Sequence, residues 1–94
     1  MRVRWLRKAL RNLDEEAAYI AADDVAAARL VVQRVVSAVT RLADQPGVGR
    51  PGRVPGTREL VVQKTRYIVP YRITGDTVEI LRVFHTTRRP PASW

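Results

Sequence analysis

The stretch from Gly56 to His85 contains three apolar runs rich in β-branched residues, and it constrains the fold more than any other part of the chain. The runs cover Glu59 to Val62, Tyr67 to Ile73 and Thr77 to Phe84. A turn at 74–76 separates the last two, and its glycine can supply the positive φ that a tight hairpin needs. The pattern predicts a three-stranded antiparallel meander, and such a sheet needs a second layer to cover one of its faces.

The first half of the chain has the pattern of a strand followed by two helices. Met1 to Leu6 alternates basic and apolar residues, which predicts a short edge strand that joins the meander as a fourth strand. An apolar stripe with helical spacing then predicts a first helix. This stripe consists of Leu6, Leu10, Leu13, Ala17 and Ile20. The neighbouring acidic residues Asp14, Glu15 and Glu16 are expected to lie on its solvated face.

A second apolar stripe predicts a second helix that begins at Asp23 or Asp24, where a carboxylate can cap it, and ends near Asp44. This stripe consists of Val25, Ala28, Val32, Val35 or Val36, Val39 and Leu42. The predicted fold class is therefore α+β: an N-terminal strand, a helical hairpin and a three-stranded antiparallel meander, within a single domain that spans residues 1–94.

Four local features carry further predictions. The segment from Val48 to Pro55 is rich in glycine and proline. It is expected to be neither helix nor strand but a loop that connects the helices to the sheet. In the second meander strand, the alternate residues from Tyr67 to Ile73 should face the helices, and Pro70 on the opposite face predicts either a bulge or an unpaired N–H side of the strand. The third strand has no clean core face. The tail from Thr86 to Trp94 is expected to lie on the surface or to protrude, because two consecutive prolines prevent strand pairing.

Composition excludes several classes of site. The 94 residues include no cysteine and one histidine, so neither a disulfide framework nor a thiolate metal site can form, and no metal or cofactor is expected. No apolar run has the length of a membrane span, and the N-terminus lacks the pattern of a signal peptide. A cytoplasmic protein without membrane contact is therefore expected.

The positive charge lies mainly in the second half of the chain. Residues 1–49 carry eight basic and six acidic side chains, whereas residues 50–94 carry nine basic and three acidic ones. All but two of the basic residues are arginine, whose planar guanidinium suits phosphates and carboxylates. The formal net charge of +8 thus favours an anionic partner, either nucleic acid or an acidic protein, and composition alone does not choose between them.

Three motifs in this order resemble the ParE/RelE family of bacterial toxins from type II toxin-antitoxin systems. They are G-T-R-E-L at Gly56 to Leu60, Y-I-V-P-Y-R-I at Tyr67 to Ile73, and I-L-R-V-F-H at Ile80 to His85, followed by an arginine-rich tail. The resemblance covers essentially the whole chain. It implies a RelE/ParE-like toxin fold and a cognate antitoxin, ParD-like, that wraps the toxin in a hetero-oligomer.

The family divides by mechanism, and the sequence favours one branch. RelE-like members cut messenger RNA in the ribosome, whereas ParE-like members poison DNA gyrase by protein contact. Cleavage of RNA needs groups that move protons and cations that stabilise the phosphorane. The positions of this chain that align with basic residues of RelE-like nucleases are Glu59, Val61 and Ile68, and none of them can balance phosphate charge. The resemblance therefore favours a ParE-like gyrase inhibitor without catalytic residues and without sequence-specific nucleic-acid binding.

The predicted contact residues follow from these alternatives. The target surface is assigned to Arg82, His85, Arg88, Arg89 and Trp94, because arginine and tryptophan often anchor interfaces. The antitoxin surface is assigned to Leu10, Leu13, Ala17, Val32 and Val36, on apolar stripe edges that can form a groove. The main alternative is a ribosome-dependent ribonuclease that uses Arg58, Arg82 and His85. A non-toxic binding module or decayed toxin is a third possibility.

Overall fold

The computed structural model describes residues 1–87 and 93–94, in which two helices pack against one face of a sheet. The helices are α1 (Arg7–Ala21) and α2 (Val25–Thr40), and a 3-10 turn at Arg41–Ala43 extends α2. The strands are β1 (Arg2–Trp5), β2 (Arg50–Pro51), β3 (Arg58–Val61), β4 (Tyr67–Thr74), β5 (Thr77–Ile80) and β6 (Phe84–His85). This order confirms the predicted α+β class.

Within the described residues the sheet has the strand order β1-β5-β4-β3-β2, and β6 also pairs with β4. The neighbours of β4 run antiparallel to it, as the meander predicts. The predicted fourth strand is confirmed as β1 at the edge of the sheet, where it pairs with β5 in parallel. The chain leaves β1 directly into α1, so the helical hairpin lies between the two parallel strands in the sequence.

The core lies between the helices and the inner face of the sheet. From the helical layer it includes Ala9, Val35, Val39 and the turn residue Leu42, all at most 1% exposed. From the sheet it includes Val62, Tyr67, Val69, Tyr71, Val78, Ile80 and Val83. Each fully buried aliphatic side chain stabilises the fold by roughly 1.5–3 kcal/mol, so this cluster is the main source of stability. The valine buried in the second helical stripe is Val35, whereas Val36 is exposed.

The prediction that alternate side chains of β4 face the helices is confirmed for three of the four residues. Tyr67, Val69 and Tyr71 belong to the core, but Ile73 is 40% exposed because it lies next to the hairpin turn at the end of the sheet. The residues at 68 and 70 on the opposite face are also buried. The central part of β4 is therefore covered on both faces.

The predicted third strand is interrupted opposite Pro70. On β4, Tyr71 pairs with Ile80 and Ile68 pairs with Phe84, so the three residues at 81–83 lie opposite the two residues at 69–70. One extra residue of this kind is a β-bulge. The prediction of a continuous strand from Thr77 to Phe84 is wrong, but the prediction of a bulge at Pro70 is confirmed, with the extra residue on the neighbouring segment. The Pro70 carbonyl accepts from Leu81 N at 2.9 Å.

The helix boundaries agree with the sequence pattern. Asp24 caps α2, and its side-chain oxygen accepts from Ala27 N at 3.0 Å.

The predicted apolar stripe of α1 is wrong in part, because Ala9, which the prediction left out, is fully buried whereas Leu10 is 48% exposed. The prediction that Glu16 lies on the solvated face of α1 is also wrong, because its side chain is buried. Among the described residues, no helix is long and apolar enough to cross a membrane.

The loop prediction for Val48 to Pro55 is wrong for two residues. Arg50 pairs with Glu59 and Pro51 with Arg58, which makes β2 a two-residue strand on the outer side of β3. A proline is tolerated there because β2 lies at the edge of the sheet, where a missing N–H leaves no partner unsatisfied. The crossover from α2 to the sheet is therefore held to β3 along part of its length.

Candidate functional site

Glu59, which aligns with a basic residue of the nucleases, is buried beneath the loop that contains β2. Its side chain is 2% exposed, and it accepts from the Arg50 side chain at 3.2 Å and from Arg53 N at 3.0 Å. The Arg50–Glu59 pair is also a cross-strand ion pair. Both carboxylate oxygens are therefore occupied within the protein, and Glu59 orders the loop instead of facing a ligand.

Arg58, a candidate of the nuclease alternative, has the same kind of structural role. Its Nη1 donates to the carbonyl oxygens of Gly49 at 2.8 Å and Gly47 at 3.3 Å. Carbonyl groups at a chain reversal need donors, and a guanidinium satisfies two of them at once. Arg58 therefore holds the segment that enters β2.

The Tyr71 hydroxyl completes this loop anchor. It donates to the Pro46 carbonyl at 2.7 Å and accepts from Gly49 N at 2.9 Å. Burial raises the pKa of Tyr71, although the hydrogen bond from Gly49 and the charge of Arg58 act in the opposite direction. A Cβ at position 49 would lie 2.6 Å from the Tyr71 hydroxyl oxygen, so this close approach requires glycine.

The region around β6 brings together several of the residues predicted to contact a target. Trp94 stacks on Phe84 with ring centroids 5.3 Å apart, and its backbone oxygen accepts from Arg82 Nε at 3.1 Å. The guanidinium of Arg53 lies 5.7 Å from the centroid of the Phe84 ring. Trp94 is half-buried against Phe84, so the end of the tail lies on the surface of the protein and does not protrude. The predicted contacts Arg88 and Arg89 lie outside the described residues.

His85 lies at the same end of the sheet and contacts Tyr67 edge to face, with ring centroids 5.2 Å apart. Its Nδ1 accepts from Thr87 N at 3.2 Å and lies 2.7 Å from the Thr87 hydroxyl. The Tyr67 hydroxyl donates to Glu16 at 3.0 Å, which is the physical reason why that glutamate is buried. This long-range hydrogen bond joins α1 to β4.

The three residues of the nuclease alternative do not meet at one site. Arg58 pairs with Tyr71 on one side of β4, whereas His85 pairs with Tyr67 on the other side. Four residues along a strand and two strand spacings separate their backbones by roughly 16 Å. Arg82 lies at the His85 end, next to β6. The structure therefore brings Arg82, His85 and Trp94 to one end of the sheet and leaves Arg58 apart from them.

The residues predicted to contact an antitoxin lie in different environments. Ala17 and Val32 line an apolar groove of about 430 Å³ between the two helices. Leu10 and Val36 are exposed elsewhere on the helices, at 48% and 40%. Leu13 packs against the hydrophobic core, so less of its side-chain surface is available to a partner. The groove between the helices is thus the part of this surface that can receive an apolar side chain.

A larger groove of about 730 Å³ between α2 and β3 was missed from the sequence. Three exposed apolar residues lie along it, namely Leu30, Val48 and Val61. Four of its lining residues are basic: Arg34, Arg41, Arg50 and Lys64. These residues are spread over more than thirty positions of the sequence, and no local pattern brings them together.

The opposite edge of the sheet carries an ion-pair cluster around Glu79. Its carboxylate lies 2.7 Å from Arg72 Nε and 3.9 Å from Arg4 Nη1, and the Thr74 hydroxyl also donates to it. The hydrogen bond from Arg72 is the largest of the effects that lower the pKa of Glu79 below its ordinary value of 4.5.

Replacement of Glu79 by glutamine should therefore change how the free energy of unfolding depends on pH in the acid range. A carboxyl group with a lowered pKa binds fewer protons in the folded state, so its stabilisation is complete above pH 4.5 and is lost as the pH falls through the lower folded value. We expect wild type to be more stable than E79Q at pH 6, and the difference to shrink steadily below pH 4.5. Urea unfolding between pH 3 and pH 6 measures this, and a difference independent of pH would contradict the assignment.

Comparisons with known proteins agree on one family. The sequence model described as "ParE toxin of type II toxin-antitoxin system, parDE" matches residues 3–90. The chain is 53% identical over 90 residues to the Sinorhizobium fredii (strain NBRC 101917 / NGR234) protein named "Putative toxin Y4kP", and the match covers 96% of this chain and 93% of the relative. A solved structure titled "Chromosomal ParDE TA system from P. aeruginosa" aligns with a TM-score of 0.80 and 33% identity, covering 90% of this chain and 95% of the other.

Proposed function

Because this chain belongs to the ParE toxin family of type II toxin-antitoxin systems, we propose that it inhibits DNA gyrase by direct protein contact and that a cognate antitoxin neutralises it. Both partners would act in the cytoplasm. No chemical step on a substrate is required by this function, and no cofactor enters it.

The observation that carries the proposal is the structural role of two residues: Glu59, which aligns with a basic residue of RelE-like nucleases, and Arg58, which the ribonuclease alternative needs as a cation. Glu59 is buried in contacts with Arg50 and Arg53, and Arg58 donates to two loop carbonyls. A nuclease would need cations free to approach a phosphate and a nearby group to move protons. The single histidine lies roughly 16 Å from Arg58, across two strand spacings. This arrangement favours a binding function over RNA cleavage.

The proposed target surface is the end of the sheet around β6. There Arg82 donates to the backbone oxygen of Trp94, whose indole stacks on Phe84, and His85 follows Phe84 on β6. Aromatic and arginine side chains of this kind dominate the binding free energy of many interfaces. Arg88 and Arg89 belong to the same proposed surface because they lie between these residues in the sequence.

The antitoxin is proposed to insert apolar side chains into the groove between α1 and α2. In this groove Ala17 and Val32 leave an opening of about 430 Å³ with few polar atoms around it. A17E should therefore abolish co-purification with the antitoxin, because it would place an unpaired carboxylate in the contact. The exposed residue Ala26 lies outside the groove, and A26E is the matched control. Growth inhibition should persist in both variants, and an A17E protein that still binds the antitoxin contradicts this placement.

Two assays in parallel test the proposed target. Purified chain is added to gyrase with relaxed plasmid and ATP, and separately to a translation reaction whose messenger RNA is analysed for cuts. We expect loss of supercoiling and intact messenger RNA. Addition of the antitoxin should restore supercoiling. Cuts within codons together with normal supercoiling would overturn the proposal in favour of the ribonuclease, and no effect in either assay would indicate a non-toxic binding protein.

A further inference from the structure

We propose that Phe84 and Arg53 are positioning residues of the proposed target surface, because together they hold the Trp94 indole in one orientation before a target binds. The importance of Trp94 for a target rests on the proposed function. The orientation of its ring follows from contacts within the chain and can be measured without any target.

Phe84 provides a rigid platform for the indole. It lies on β6, where it pairs with Ile68 of β4, and Thr86 N donates to the Arg66 carbonyl at 2.8 Å directly after β6. The Trp94 ring stacks on Phe84 with an interplanar angle of 25° and a centroid distance of 5.3 Å. A group on a paired strand is held more precisely than one on a loop, so Phe84 can fix the position of the stacked ring.

Arg53 supports the same phenyl ring from the loop that contains β2. Its guanidinium carbon lies 5.7 Å from the centroid of Phe84, within the range of a cation–π contact. Its backbone N–H donates to the buried Glu59 carboxylate at 3.0 Å, which fixes the backbone from which the Arg53 side chain extends. Glu59, which aligns with a basic residue of the nucleases, therefore supports the platform of Trp94 through Arg53.

Within the described residues, no hydrogen bond fixes the orientation of the indole. The backbone oxygen of Trp94 accepts from Arg82 Nε at 3.1 Å, but this contact leaves the side-chain torsions of Trp94 free. The indole Nε1 is buried and has no hydrogen-bond partner in the part of the chain that the structure describes. Stacking on Phe84 is therefore the interaction that selects the ring orientation.

A ring that is already oriented lowers the cost of binding. A mobile tryptophan loses rotamer freedom when a target holds it, and the ordering of one such side chain weakens association by roughly three- to tenfold. Phe84 and Arg53 thus contribute to target affinity through Trp94, without a contact of their own to the target.

The first experiment observes the Trp94 indole in the purified chain, without gyrase or antitoxin. The chain has two tryptophans, and W5F assigns their indole N–H signals in a proton–nitrogen NMR spectrum. In wild type, the heteronuclear NOE of the Trp94 indole should be as high as that of the β4 amides. F84A should lower this NOE and shift the signal toward that of free tryptophan, whereas F84Y keeps the ring and should restore the wild-type signal.

Two further variants refine this result. F84L retains an apolar side chain but no flat ring, so it should mobilise the indole as F84A does, and it replaces F84A if that variant does not fold. R53A should move the signal part of the way along the same line, because an exposed cation–π contact is weaker than the stacking. R2A removes a positive charge from β1 instead and should leave the signal unchanged.

V69A separates positioning from general stability. Val69 is fully buried on the face of β4 opposite to Phe84, so its truncation lowers the free energy of unfolding without a contact to the indole. The Trp94 signal of V69A should therefore match wild type. An ordered and unshifted indole in the folded Phe84 variants, or an equal loss of order in V69A, would overturn the inference.

The second experiment connects the orientation of the ring to the target. Supercoiling is titrated with each variant at a gyrase concentration below the dissociation constant. F84A should require roughly three- to tenfold more chain for half inhibition, and F84Y should match wild type. F84A should have no further effect in a W94A chain, because Phe84 acts through the indole.

Equal potency of F84A and an inhibitory wild type would overturn the role in binding, as would an F84A effect of full size in the W94A chain. If wild type itself leaves supercoiling intact, the proposed function fails. The NMR measurements then still decide whether Phe84 and Arg53 hold the Trp94 ring, so the two failures are distinguishable.

Discussion

Deletion of residues 88–94 is expected to abolish growth inhibition while the remaining chain keeps its fold. The deletion removes Arg88, Arg89 and Trp94, which are three of the five proposed target contacts. Interface residues of these types often contribute about 2 kcal/mol or more each, so affinity for the target should fall by roughly a hundredfold or more. Among the described residues, the helices and strands all end before position 88. Colony counts after induction measure the effect.

The control for this deletion is the double substitution of Arg2 and Arg4 by serine. It also removes two positive charges, but from β1, which pairs with β5 and is not part of the proposed target surface. We expect this variant to remain toxic, and the deleted chain to retain binding to the antitoxin. Full toxicity of the deleted chain would exclude the tail from the mechanism and would leave Arg82 and His85 as the proposed contacts.

Replacement of Tyr71 by phenylalanine is expected to lower the free energy of unfolding by roughly 2–3 kcal/mol, because buried polar groups of the loop lose their partner. The lost hydroxyl serves the Gly49 N–H and the Pro46 carbonyl, and the hydrogen bond to Gly49 is buried. For a domain of this size, such a change lowers Tm by roughly 10 °C or more. Urea unfolding measures the free energy, and hydrogen exchange at Gly49 reports the loop itself.

The matched control is Y67F, which removes a hydroxyl from the same strand and the same face. That hydroxyl donates to Glu16 on α1 and not to the loop. Y67F should also be less stable than wild type, but exchange at the Gly49 amide should accelerate locally only in Y71F. A Y71F protein within about 0.5 kcal/mol of wild type, with slow exchange at Gly49, would contradict the assigned role of the hydroxyl.

Patterns within a few residues were sufficient to predict the elements of the fold. The alternation at Tyr67, Val69 and Tyr71 identifies a strand face because side chains on a strand alternate strictly. Asp24 identifies the start of α2 because a cap acts on the backbone of the following turn. The family resemblance then supplied the order of the elements, and the structure has that order.

Contacts between distant residues could not be predicted in the same way. The sequence predicts Glu16 on an acidic solvated face, yet Tyr67, more than fifty positions later, provides a buried partner. Arg50 and Glu59 pair only because the loop returns to the outer side of β3. Arg58 is a candidate for phosphate chemistry only in the ribonuclease alternative, whereas the carbonyls that it satisfies belong to Gly47 and Gly49. Each case depends on how the chain closes on itself.

The role of the proposed target contacts stays a prediction, and only their positions can be compared with the structure. Arg82, His85 and Trp94 are close in the sequence; in the structure Arg82 contacts Trp94, while His85 on β6 contacts Tyr67 and Thr87 instead. The stacking of Trp94 on Phe84 could not be predicted, because the tail could have turned in many directions. The groove at β3 was also missed, since an open strand edge is a property of the sheet and not of the strand sequence.

The stoichiometry of gyrase inhibition tests the central claim most directly, because an inhibitor that acts by contact must occupy each target molecule, whereas an enzyme turns over. Supercoiling activity is measured while purified chain is titrated against a fixed concentration of gyrase well above the dissociation constant. We predict that activity falls in proportion to added chain and reaches its minimum near stoichiometric amounts. Full supercoiling at a large excess of chain, with messenger RNA cut at chain-to-ribosome ratios far below one, would contradict it.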